Sequence, residues 1–542
     1  MSIRISPGVY SIENDISEVI TGISTSSAAL VGYSAKGDVD NVKLITNTQQ
    51  FIDEYGEPDP SSGHYFHYSA LAYLAKGRVL QCLRVTNGAL YGGVNIVKSD
   101  SAETNSAFTV GRSTKTFSVD SGLDDETVFQ IVGTNPGAWN NDVGVIISDV
   151  KTGSDPVATD QYTFVIKVYS KDSDGVWLKV EEWKVSRKTK VDGFGKQLYL
   201  ESRINGVSKY ISVLDSELSD TVLPLAQATR LEFDGGSDGS EISSTELIAG
   251  WDNFINPSKI DVRILINGGE TATAVQSKIK TVAETRLDCF AILDVPWDSL
   301  ASVTETTTFR NSTQNFDSSY CGLFAGWPRI YDIYNDELVD VPPSGYVAAQ
   351  FAYNDSVGKP WTAPAGKTRG KLDVQAIYGP TGKLVYTEGE RDTLYAAGVN
   401  PLQTFEGEGH LIYGQKTEQS KTSALSRINV RRSLLVMEKT ISVALRDFIF
   451  ESNDEVTRFR VEALLNTYLD GLSADGAFQT ESGDSGFMVV CDETNNTPTV
   501  IDSNEMRVDV FVKPVRTAEF IQLRTIITSS GASFEELIAR GI

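Results

Sequence analysis

Three consecutive segments constrain this chain more than any other feature. Residues 260–266 form an apolar run of strand length, residues 273–287 have helical length, and Cys289-Phe-Ala-Ile-Leu-Asp-Val295 is a second apolar run. A strand, a helix and a strand in direct succession make a βαβ unit, whose two strands lie parallel in one sheet with a right-handed crossover. Parallel strands are buried on both faces, so the sheet needs helices on each side. The predicted class is therefore α/β within an α+β multidomain chain.

The same alternation occurs earlier. Residues 28–33 and Arg78-Val-Leu-Gln-Cys-Leu-Arg-Val85 read as strands, with helices from a Thr48 cap to Gly56 and over 65–76 between them. From about 98 to 235 the composition turns to Ser, Thr, Asp and Gly. Alternating strands such as Tyr162-Thr-Phe-Val-Ile-Lys-Val-Tyr169 and Trp177-Leu-Lys-Val-Glu-Glu-Trp183 appear there without a long helical period, which predicts an all-β insertion. Ser244 is a candidate cap for a helix to Phe254. Leu434, Met437, Ile441, Leu445 and Phe448 recur at spacings of three and four, which predicts a helix with one apolar face. Ser452 or Asn453 can cap the next helix, with Asp454 and Glu455 in its first turn and a stop near Gly471.

The resulting division is an N-terminal arm at 1–20, a first core part at 21–97, the β insertion at 98–235, an α/β middle domain at 236–380, a second core part at 381–513 and a C-terminal arm at 514–542. The arm strands are the unusual part. Ile3 and Ile5 alternate with Arg4, Pro7-Gly8 breaks the run, and Val9, Tyr10 and Ile12 resume it, with no hairpin partner nearby. At the other end Val508, Val510 and Val512 share one strand face, and Ile521, Leu523 and Ile527 share another.

Charge narrows the function classes. The chain carries 48 Lys and Arg against 72 Asp and Glu, a net charge of −24, which repels nucleic acid because phosphate binding needs clustered cations. No apolar run reaches the roughly 20 residues of a membrane span, and the first ten residues have no apolar signal core. The four cysteines stand alone, without a C-x-x-C spacing, as in a reducing compartment.

Catalytic patterns fail on their partners. Gly483-Asp-Ser-Gly486 has the letters of a serine-protease loop, but only His64, His67 and His410 exist to serve as bases, none in the Ala-Ala-His-Cys context. His64 and His67 have no third metal ligand near them and suit packing or capping. Ala365-Gly-Lys-Thr368 resembles the end of a phosphate loop, yet Trp361 stands where that loop needs glycine, no strand feeds it, and a plain loop is predicted. No catalytic residue, metal or cofactor is expected.

Longer stretches carry a resemblance. Ala396-Ala-Gly-Val-Asn-Pro401, Gly407-Glu-Gly409, Arg427-Ile-Asn-Val-Arg-Arg432, Phe448-Ile-Phe-Glu-Ser-Asn-Asp454, Val490-Cys-Asp-Glu-Thr-Asn-Asn-Thr-Pro498 and Ala518-Glu-Phe-Ile521 resemble the contractile tail sheath family of bacteriophages and R-type bacteriocins. Pro342-Pro-Ser-Gly-Tyr-Val-Ala-Ala349, Lys359-Pro-Trp-Thr-Ala-Pro-Ala365 and the opening Ser6-Pro-Gly-Val-Tyr10 are similar too. The β insertion lies outside the resemblance. Tyr413 replaces the usual tryptophan after the Gly-Glu-Gly region, and Tyr395 precedes the alanine pair.

The resemblance implies a conserved α/β core built from both chain ends, an outward insertion, and a virion-tail protein assembled in the host bacterial cytoplasm. It implies a helical homo-oligomer around an inner tail tube, capped by baseplate and terminator proteins, that contracts to drive the tube through an envelope. No direct nucleic-acid contact and no membrane insertion are expected. It also implies arms that complete a neighbour's sheet, for which Ile3, Ile5, Val9, Tyr10, Val508, Val510, Val512, Phe520, Ile521 and Leu523 are the candidate residues. Residues 421–460 hold eight basic against five acidic groups, a local net of +3. Lys421, Arg427, Arg431 and Arg432 are therefore candidates to face an acidic tube, with a solvated, ion-paired helix face as the alternative.

Overall fold

The computed structural model describes residues 25–519 except 40, 109, 118–125, 156, 158–159, 173, 217 and 482–483. Ile3, Ile5, Val9, Tyr10, Phe520, Ile521 and Leu523 lie outside the described residues. The chain divides into two compact units, one ending at Ile449 and the other starting at Phe450.

The first unit is organised by a nine-stranded sheet. Its strands are β1 (Ser27–Tyr33), β2 (Lys43–Ile45), β3 (Val79–Val85), β4 (Ile264–Ile266), β5 (Phe290–Asp294), β6 (Cys321–Ala325), β7 (Lys371–Leu372), β8 (Val399–Phe405) and β9 (Gly409–Ile412). The spatial order is β7-β9-β8-β6-β5-β4-β1-β3-β2. All pairings from β3 across to β8 are parallel, while β2, β9 and β7 run antiparallel at the two margins. The predicted βαβ unit is β4, the Thr273–Arg286 helix and β5, with Ile264 opposite Phe290.

The sheet draws on three stretches that the sequence divides. Strands from 21–97, 236–380 and 381–513 alternate within one hydrogen-bonded layer, so the boundaries at 236 and 380 do not separate sheets. One core cluster accordingly joins Leu30, Leu80, Leu265, Ile292, Leu323, Val399 and Ile412. Helices Phe66–Leu74 and Pro343–Gly358 pack on this core and against each other. Gly345 permits their close approach, because a Cβ there would lie 2.7 Å from backbone atoms of Ser69.

Between β3 and β4 the chain builds two four-stranded antiparallel sheets. One holds Gly93–Val97, Ser106–Ala107, Thr127–Gly133 and Ile211–Asp215; the other holds Val143–Ser148, Thr163–Lys171, Trp177–Ser186 and Leu231–Glu232. Their inner faces form a second core, in which Phe129 stacks on Phe164 at 5.4 Å. Among the described residues two short helical segments, the 3-10 turn Ala138–Asp142 and the α-helix Leu200–Ile204, interrupt the otherwise β insertion. Arg84, fully buried on β3, ties the loop after β1 to this insertion. Its guanidinium donates to the carbonyls of Ser34 (2.6 Å), Ala35 (2.9 Å), Gly37 (2.7 Å) and Pro136 (2.8 Å).

Several helix starts differ from expectation by one or two residues. Asn47, not Thr48, caps the first helix; Ser243, not Ser244, caps Ser244–Asp252 with a full capping box; and Asp454, not Ser452 or Asn453, caps Glu455–Ala474. Each true cap is the residue whose backbone is extended while its side-chain oxygen reaches an amide inside the first turn. The Glu455–Ala474 helix also continues through Gly471. Residues 366–369 form one helical turn instead of a plain loop, with Lys367 paired to Glu408 at 2.9 Å.

In the second unit the Glu455–Ala474 helix buries Val461, Leu465 and Leu469, spaced four apart along one face. It packs on a two-stranded antiparallel ribbon, Phe487–Val490 with Asp509–Val512.

Candidate functional site

The two-stranded ribbon of the second unit holds the predicted strand residues Val510 and Val512. Phe487 pairs with Val512, Met488 with Phe511, Val489 with Val510 and Val490 with Asp509. Val508, Val510 and Val512 are half-buried, and Val489 is buried. On the opposite face Met488 and Phe511 sit side by side and are 54% and 56% exposed. Val510 and Val512 therefore do not form an orphan strand: they pair within their own chain. Each strand has one ladder satisfied by the other, and among the described residues no third strand joins the sheet. Open edges of this kind are templates for a further strand. The Phe487–Val490 strand was not read from the sequence, although the four-residue run Phe-Met-Val-Val behind Gly486 carries a signal for it.

The four basic candidates separate. Lys421 is exposed and Arg427 is half-buried. Arg431 and Arg432 are 7% and 4% exposed and point inward, which corrects their expected tube-facing orientation. The Arg431 guanidinium lies 3.8 Å from the Tyr320 ring centroid. Arg432 clamps Asp355 through two bonds, Nη1 to Oδ1 at 3.0 Å and Nη2 to Oδ2 at 2.6 Å. Lys439 is also committed, with Nζ 2.8 Å from Oδ2 of buried Asp288. The buried face of the Ile428–Ala444 helix coincides only in part with the predicted apolar face. Leu435 and Met437 are buried, whereas Leu434 and Ile441 are half-buried.

Titratable groups elsewhere are structural in geometry. Asp294, wholly buried at the end of β5, accepts from the Ser344 amide (2.7 Å) and Ser344 Oγ (2.7 Å), the Gly269 amide (3.0 Å) and Asn267 Nδ2 (3.1 Å). Burial pushes its carboxyl up to about 6 despite those four donors. Glu418 is buried against Cys321 Sγ at 3.0 Å, and burial raises its pKa. His64 Nδ1 meets Glu270 Oε1 at 3.0 Å, while His67 is buried near the Tyr55 carbonyl and pushed down to about 4 by desolvation. His410 is held by Thr404 and the Gln375 carbonyl. Among the described residues no group of three His, Cys, Asp or Glu side chains is arranged to hold a metal ion, and no helix is long and apolar enough to cross a membrane.

Comparison with known proteins finds relatives of this chain. Residues 240–418 match the phage tail sheath protein central domain, and residues 420–528 match the phage tail sheath C-terminal domain. The tail sheath protein of Vibrio phage KVP40 is 31% identical over 366 residues, covering 62% of this chain and 53% of that one. The tail sheath protein of Enterobacteria phage T4 is 31% identical over 328 residues, covering 57% and 48%. The chain thus spans about half the length of these relatives. The helical sheath of the anti-feeding prophage in its contracted state has the same fold, with a TM-score of 0.54 at 15% identity over 97% of this chain and 99% of that one. The chain belongs to the contractile tail sheath family.

Proposed function

We propose that this chain is a non-enzymatic structural subunit of a contractile tail sheath. It polymerises helically around an inner tail tube, meets baseplate and terminator proteins at the ends, and contracts to drive the tube through a bacterial envelope. It is a component of the virion tail, assembled in the host cytoplasm. The observation that carries this reading is the open two-stranded ribbon of the second unit. A two-stranded ribbon is marginal by itself and gains from every strand added. In this reading Phe487–Val490 and Asp509–Val512 accept the arms of neighbouring copies, with Ile3, Ile5, Val9 and Tyr10 on one arm and Phe520, Ile521 and Leu523 on the other. About five main-chain bonds at roughly 1 kcal/mol net give on the order of 5 kcal/mol per donated strand. That cohesion keeps subunits connected while their bodies change packing, the requirement for contraction. Contacts that are not self-complementary generate an open helix instead of a closed pair.

Lys421 and Arg427 remain the candidates for facing an acidic tube, since Arg431 and Arg432 serve the interior. The test of the proposal is deletion of residues 1–15. The truncated chain keeps the circular dichroism and melting profile of the full chain and no longer polymerises. A truncated chain that still builds tubes of normal length contradicts the strand-addition reading.

A further inference from the structure

We propose that the β insertion carries a basic finger that docks into an acidic, aromatic-lined cavity on a second copy of this chain. The finger is the hairpin tip after the Trp177–Ser186 strand. Asp192 fixes its shape, since Oδ1 accepts from the amides of Phe194 (2.8 Å) and Lys196 (2.9 Å), and the Asp192 amide donates to the Lys196 carbonyl at 2.9 Å. Gly195, at φ +79°, supplies the left-handed residue that the turn requires. Phe194 projects from this tip and is 99% exposed. Lys196 is exposed beside it in the turn, while Lys188 and Lys190 lie half-buried at the base of the finger, Lys190 Nζ donating to the Gln161 carbonyl; Asp192 is the one acidic residue in the sequence from 188 to 196. Lys188 lies 4.1 Å from the Tyr162 ring centroid, which holds that cation at the base of the finger.

A fully exposed phenyl ring held on an ordered turn is free to enter a cavity on another molecule, where burying it is favourable. The cavity has the matching properties. It encloses about 510 Å³ beside the end of β1, with Tyr33 and Trp139 among its walls and Glu57, Asp59, Asp238 and Glu241 around it. Among the described residues Lys36 is the one lysine or arginine lining it, and its ammonium faces the Trp139 and Tyr210 rings at 5.2 and 5.4 Å. Aromatic walls suit the phenyl ring, and the acidic rim suits a segment that carries three lysines against one aspartate over 188–196. Because Phe194 is fully exposed, the finger does not fill the cavity of its own chain. A finger and a cavity at different places on one molecule make a heterologous contact, which repeats into an open assembly. As a step in helical assembly this contact rests on the proposed sheath function, but it requires only that two copies meet.

Disulfide trapping between two full-length variants tests the contact. The four native cysteines are buried, so the background is low. Mixed Gly193→Cys and Ser240→Cys chains, which keep the phenyl ring and all four carboxylates, should when mildly oxidised form the mixed dimer about tenfold faster than a control pair of Val207→Cys and Ser240→Cys. Val207 is 63% exposed on another turn of the insertion, so accessibility alone does not separate the two pairs. Equal rates overturn the contact. Helical polymer from the unmodified chain together with equal rates overturns the contact alone and leaves the sheath function standing. Fast trapping without any helical polymer keeps the contact and overturns the sheath function. Phe194→Ala provides an independent reading: it should raise the concentration needed for self-association about tenfold while leaving the melting temperature unchanged, and an unchanged association threshold counts against the finger.

Discussion

Arg432 and Asp355 meet inside the first unit as a two-pronged ion pair, 2.6 Å at its shorter contact, with side chains 4% and 1% exposed. The pair joins the Ile428–Ala444 helix to the Pro343–Gly358 helix. Burial raises the Asp355 carboxyl, and Arg432 opposes that shift. Removing the cation strands a carboxylate in the core. Arg432→Met is expected to destabilise the chain by about 3–5 kcal/mol in urea unfolding, whereas the double replacement Arg432→Met with Asp355→Leu recovers most of that loss. A single substitution costing less than about 1 kcal/mol would show that the pair is not holding these helices.

Asp294 gives the core an unusual pH response. Its folded pKa, about 6, lies above the ordinary carboxyl value of 3.8. The associated stability is therefore fully present below pH 3.8 and is lost as pH rises through 6. The rise from 3.8 to about 6 corresponds to on the order of 3 kcal/mol. Denaturation curves at pH 4 and pH 7, taken for the native chain and for Asp294→Asn, isolate this component, because the variant lacks the titration. Parallel curves would contradict it.

Arg84 acts as a clamp whose loss should be local before it is global. Lysine retains the charge but not the planar fork that reaches four carbonyls. Arg84→Lys should speed amide hydrogen exchange around residues 34–37 and 136–138 while leaving exchange in β5 and β6 unchanged. Uniform acceleration across the sheet would mean that Arg84 supports the whole core instead.

Phe450 stands at φ +76° and is fully exposed. A bulky residue in the left-handed region is strained by about 1 kcal/mol, and no burial offsets it. Phe450→Gly should raise monomer stability by a few tenths to about 1 kcal/mol, since the added freedom of glycine in the unfolded chain offsets part of the relief. A fall in stability would place Phe450 in a contact that holds its conformation.

The parallel core was legible because periodicity and length together define it. The 260–266, 273–287 and 289–295 pattern produced β4, its helix and β5, and 78–85 produced β3. Local pattern carries no record of which distant strands become neighbours, so β8 and β9 joining the sheet of β1 and β3 was not readable. Charge counting failed in a similar way. The +3 balance of 421–460 is real, but Arg431, Arg432 and Lys439 face aromatic rings and buried carboxylates, and a sum has no direction. Cap positions slipped by one or two residues because runs of Asn, Thr, Ser and Asp offer several side chains of the right chemistry, and only backbone geometry selects among them. Met488 and Phe511 came together through a pairing whose first strand spans four residues, below the length at which alternation is a reliable signal.

Helical reconstruction by electron microscopy of polymers grown from the purified full-length chain is the most direct measurement. The expected density shows a third or fourth strand, contributed by adjoining copies, hydrogen-bonded beside Phe487–Val490 and Asp509–Val512. Intact polymers in which that ribbon keeps only its own two strands, with both terminal segments folded onto their own subunit, would contradict the account.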